Sequence, residues 1–139
     1  MRVVGFNFDK ISIERLKDRT EKLNIKTNID VSELKSLESD ILKTKESLLQ
    51  AKFSYSVNYE PDYAKVDLRG TAIISIEEKQ AKEVTKEWKK GQMPLDFRTF
   101  LFNVIMRKAS LRSLQLEDEL NLPLHLPMPT FRPQKEKEK

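Results

Sequence analysis

The chain has 139 residues, 38% hydrophobic and 35% charged, with 26 bases against 22 acids, one histidine and no cysteine. The missing cysteine excludes a disulfide scaffold, a zinc ribbon, an iron–sulfur site and a thiol nucleophile. No apolar run exceeds three residues, far short of the roughly 20 that a membrane-crossing helix needs, and Asn7 and Asp9 interrupt the apolar start before it could serve as a signal-peptide core; the sequence predicts a soluble, cytoplasmic protein.

Phe6, Phe8, Ile11 and Ile13 alternate with polar residues, with one slip between Phe8 and Ile11. This predicts a first strand over about 3–15 that contains a bulge. A polar connection follows at 16–24, and Ile25, Thr27, Ile29 and Val31 mark a second strand. Residues 32–48 fit two readings, a helix face through Leu34, Leu37, Ile41 and Leu48 or a loop. The alternation is strictest in Leu49, Ala51, Phe53, Tyr55, Val57 and Tyr59, and again in Ala64, Val66, Leu68, Ala72, Ile74 and Ile76. Pro61 and Asp62 between the two runs are turn formers, so these runs form a long hairpin with one covered and one wet face. Gly70 falls where the last strand could bend.

The period then changes. Ala81, Val84 and Trp88 predict a short amphipathic helix ending at Gly91. Pro94 suits a first helical position, and a longer helix is predicted over about 95–118 with a main stripe of Phe97, Leu101, Val104 and Ile105. Phe100, Phe102 and Met106 lie off that stripe, so 100–106 is apolar nearly all round and needs a second cover besides the sheet. A second copy of the chain would supply it. Prolines 123, 127 and 129 make 122–129 an extended, polyproline-like segment with apolar side chains. Residues 132–139 form a charged tail predicted to be disordered, leaving 1–131 as a single domain.

Chemistry-bearing patterns are sparse. His125 has no second histidine or cysteine to join it as a metal ligand, and no nucleophile-elbow pattern is present; the plainer reading is a residue tolerated in an extended segment. Gly5, Gly70 and Gly91 are too scattered for a phosphate loop. Glu117, Asp118 and Glu119 read as a solvated helix end. The lysines at 79, 82, 86, 89 and 90 are interleaved with Glu77, Glu78, Glu83 and Glu87, a mixture that dilutes any phosphate-binding face. Phe53, Tyr55 and Tyr59 could stack bases, but they occupy the buried phase of their strand.

In order and pattern the chain resembles the SecB export-chaperone family. The likeness rests on Phe6-Asn7-Phe8-Asp9-Lys10-Ile11-Ser12-Ile13-Glu14 as a first strand, on the 49–76 hairpin, and on the helix from Pro94 followed by Leu122-Pro123-Leu124-His125-Leu126-Pro127-Met128-Pro129-Thr130-Phe131. It covers about 6–31 and 49–131. The resemblance implies an α+β fold, a homotetramer built as a dimer of dimers, binding of unfolded polypeptide in apolar grooves, a role in protein export, and no cofactor. The chain departs from the family in three ways: it is basic, with a pI of 9.2, where the bacterial members present acid to the SecA motor; it has no second helix after Phe131; and it carries an insertion at 32–48.

The sequence therefore predicts a four-stranded antiparallel sheet with a long C-terminal helix on one face, in a non-enzymatic polypeptide-binding protein. Leu122, Leu124, Leu126 and Met128 are the expected polypeptide contacts, with Phe97 and Leu101 beneath them; Phe100, Phe102 and Met106 are the expected oligomer interface. The extended segment could instead seal the domain's own core. The competing function is a basic module bound to nucleic acid or ribosomes; further alternatives are an oligomeric protein of other binding function and an enzyme with a site the sequence does not reveal.

Overall fold

The computed structural model describes residues 1–18, 22–37 and 46–133. Four strands, β1 (Arg2–Arg15), β2 (Asn24–Leu37), β3 (Glu46–Glu60) and β4 (Ala64–Glu77), precede two helices, α1 (Glu78–Lys89) and α2 (Leu95–Glu119). The sheet is antiparallel in the order β1-β4-β3-β2. The chain thus crosses from one edge to the other after β1, then winds inward through β2, β3 and β4. This is the expected α+β architecture.

Alternation sets the two faces. Leu49, Ala51, Phe53, Tyr55, Val57 and Tyr59 of β3 are all buried, as are Val66, Leu68, Ala72, Ile74 and Ile76 of β4. Their neighbours on the opposite face carry the ion pairs, among them Lys10 with Asp67 at 2.8 Å. The slip in β1 is a register shift between Phe8 and Lys10. It keeps Phe6, Phe8, Ile11 and Ile13 opposite Ala72, Gly70, Leu68 and Val66, so one face stays apolar through the irregularity. Phe6 and Phe8 then close on Phe53, with ring centroids 5.0 and 6.2 Å away. Gly70 is required at this spot: a Cβ there would run into the Asn7 carbonyl and the Phe53 ring.

Residues 32–48 are strand wherever they are described. β2 continues to Leu37 and β3 begins at Glu46, while 38–45 lie outside the described residues. A register shift within β2, between Val31 and Glu33, explains why alternation breaks there. The extra residue, Ser32, lets both Val31 and Leu34 point into the core. Of the tail, Arg132 and Pro133 are described and exposed; the rest lies outside the described residues.

Both helices end in the same way. The Gly91 N–H bonds the Trp88 carbonyl and the Gln92 N–H the Glu87 carbonyl, with Gly91 at φ +77°. At the end of α2 the Asn121 N–H bonds Asp118 and the Leu122 N–H bonds Glu117, with Asn121 at φ +53°. These are Schellman motifs, in which a left-handed residue returns the chain toward the helix it has just left. Pro94 caps α2 from outside and does not occupy its first helical position.

Candidate functional site

The turn at Asn121 folds the chain back beside the last turns of α2. Leu122 is buried there, as the residue after a left-handed cap commonly is. The Tyr59 hydroxyl donates to the Pro123 carbonyl, and the Arg15 guanidinium donates to the Leu120 carbonyl. His125 then enters a buried polar cluster. Its Nδ1 lies 2.7 Å from Glu117 Oε2, its backbone N–H donates to Glu117 Oε1 at 2.8 Å, and its Nε2 lies 2.6 Å from the Tyr55 hydroxyl. Tyr55 in turn meets Ser110 at 2.9 Å, and Ser113 donates to Glu117.

The donors and acceptors close without remainder. An ionised carboxylate only accepts, so Nδ1 carries a proton and donates it. In the neutral ring Nε2 accepts from Tyr55, whose oxygen accepts from Ser110. No buried side-chain nitrogen or oxygen among the described residues lacks a partner. Burial by itself would raise the Glu117 carboxyl, but hydrogen bonds from His125 and Ser113, with the His125 backbone N–H, outweigh it and hold the carboxyl below the usual range. Burial first, and then the Glu117 charge, push the Tyr55 and Tyr59 hydroxyls above the ordinary tyrosine value.

Two sequence expectations are corrected by this cluster. Glu117 is fully buried and is no part of a solvated helix end, and the His125 side chain is enclosed between α2 and β3. A signal was available: Phe97, Leu101, Ile105, Ala109, Ser113 and Glu117 recur every four residues, and all are buried. The spacing was hidden because the last members are polar.

The expected contact residues divide into two groups. Leu124 is half-buried, and Leu126 and Met128 are exposed, Met128 at 53%. Phe131, absent from the expected set, is fully exposed. Leu122, Phe97 and Leu101 are core residues. Phe97 and Leu101 also do not lie beneath the segment. Phe97 precedes Glu117 by twenty residues of α2, about 30 Å along the axis, and Met128 is only three residues, about 10 Å of chain, past His125.

Around the first half of α2, Leu101 and Ile105 face the sheet while Phe100 and Phe102 are half-buried. Leu95 and Met106 are exposed, at 74% and 48%, and Arg98 lies over the Phe102 ring with its guanidinium carbon 5.4 Å from the centroid. On α1 and at its C-cap the lysines at 79, 82, 86, 89 and 90 are exposed among acids, with Lys82 paired to Glu78 at 3.5 Å. Among the described residues no helix is long and apolar enough to cross a membrane, and no three His, Asp or Glu side chains converge as metal ligands.

No protein-family model matches the chain, and no curated protein does. Among solved structures it is similar to the Mycobacterium tuberculosis SecB-like chaperone Rv1957, solved in complex with a ChAD peptide from the Rv1956 HigA1 antitoxin. The identity is 10% and the TM-score 0.49, over 96% of this chain and 92% of that one.

Proposed function

We propose that the chain is a cofactor-free, holdase-type polypeptide-binding protein that works as a homo-oligomer. The observation that carries this reading is an apolar segment held out in water. Beyond His125 the chain has no regular secondary structure through Pro133, and Leu126, Met128 and Phe131 are exposed, while the buried Glu117–His125 contact fixes the segment at its base. A segment already pinned and stiffened by proline loses little freedom on meeting a partner, and methionine adapts to varied side chains. Leu124, half-buried, belongs to the pinned part, between the Pro123 and His125 contacts. Sealing of the domain's own core is the task of Leu122, on the near side of His125.

The test is suppression of aggregation of a chemically unfolded client by the whole chain, compared with the Leu126→Ser, Met128→Ser double variant. The expected result is unchanged melting temperature and lost suppression. A large fall in melting temperature would instead make these residues part of the core and overturn the reading. Strong retention on RNA that collapses with salt, without suppression, would transfer the function to nucleic-acid binding.

A further inference from the structure

A second surface lies on the flank of α2 that faces the start of β1. Met1 and Val3 on one side and Phe100 and Val104 on the other line a groove of about 510 Å³. Its remaining lining is Arg2, Asn103, Arg107 and Lys108, with no carboxylate among them. Arg107 and Lys108 make no ion pair among the described residues, and Arg2 reaches Glu46 only at 3.8 Å. Lys108 leans over the Phe6 ring, 5.7 Å from its centroid, so its charge stays at the rim of apolar surface. The groove also runs beside β1, an edge strand whose outer side has no strand neighbour among the described residues.

We infer that this groove takes an extended polypeptide segment in which apolar side chains are flanked by Asp or Glu. The inference rests on the polypeptide-binding reading and narrows its substrate class. Apolar lining with same-sign charge at the rim selects a ligand that has both features, and the charges set preference and encounter rate more than total affinity. A second copy is a poor occupant. A two-fold contact centred on this groove would bring the patch against itself, setting Arg2, Arg107 and Lys108 against their own copies.

The experiment uses the whole chain and two short peptides labelled with a neutral dye. They share the same leucines and phenylalanines; one carries glutamates between them and the other lysines. Fluorescence anisotropy at low salt is expected to show the glutamate peptide binding about tenfold tighter. Arg107→Glu with Lys108→Glu should invert the order, and Arg107→Gln with Lys108→Gln should erase it. Lys89→Glu with Lys90→Glu, at the end of α1, should leave it unchanged. Equal affinities, or a preference that survives the reversal, would overturn the inference; if client aggregation is still suppressed, the broader function stands. No binding by either peptide together with no suppression would remove both. Displacement of the glutamate peptide by short RNA with a steep salt dependence would overturn it in favour of nucleic acid. A fall in light-scattering mass on charge reversal would assign the groove to a second copy.

Discussion

Glu117 stands in a run of three acids, yet its two oxygens are used up by His125 and Ser113 inside the protein. Because its carboxyl titrates lower folded than unfolded, folding is favoured wherever both states are ionised, above the ordinary glutamate value of about 4.3. That contribution is lost as pH falls through the lowered folded value, where both states are protonated. Asp67 acts in the same direction: burial raises it, but Lys10 and Arg69 outweigh burial and lower it. Glu117→Gln keeps the shape and removes the charge. The expected cost is about 1.5–3 kcal/mol at neutral pH, the worth of hydrogen bonds to a charged group. The difference from the parent should shrink as the pH of urea unfolding is taken down through the acid range. A gap that stays constant with pH would show that the Glu117 charge does not support the fold.

Within α2 the buried positions advance by four residues per step, and each step adds about 40° to the wheel. From Phe97 to Glu117 the buried side therefore turns through about 200°. The first half covers the sheet with Phe97, Leu101 and Ile105; the second half buries Ser110 against Tyr55 of β3, and Ser113 beside Glu117, which His125 of the returning segment meets. A single-stripe reading found the first half and missed the second, because polar residues are buried there by a partner far from them in local pattern. The strands were legible because alternation registers burial directly, even across the bulge after Phe8. β2 was cut short where Ser32 breaks the alternation. The polar cluster was illegible because a lone histidine and an acidic run show their meaning only once Asn121 has turned the chain. Asn121 is thus the element's pivot. Asn121→Val should cost about 1–2 kcal/mol, since a branched side chain resists the left-handed conformation, and Asn121→Gly should be close to neutral. Thermal melts of the two variants check this, with amide exchange in 122–131 expected to quicken in the valine variant alone.

At the scale of the molecule, the returning segment meets the second half of α2 at Glu117, and among the described residues the first half is covered from the sheet side. Leu95, Phe102 and Met106 recur at spacings of seven and four, which places them along one side of the helix. Two of the three are exposed, and Phe102 is shielded in part by Arg98. Burying Phe102 and Met106 would contribute roughly 1.5–3 kcal/mol each, and an identical helix related by a two-fold axis offers a matching apolar face. Unlike the basic groove, this side holds few like charges to repel across such an axis: Arg98 is the cation beside it, already engaged with the Phe102 ring. The expected state at micromolar concentration is therefore a dimer or a dimer of dimers built on this side of α2. Light scattering should give a multiple of 16.3 kDa, and Phe102→Lys, which puts a charge on each side of the axis, should lower it. A parent mass of one chain would refute the assembly. An oligomer that Phe102→Lys leaves intact would place the contact elsewhere, and the exposed edge of β1 would be the next surface to probe.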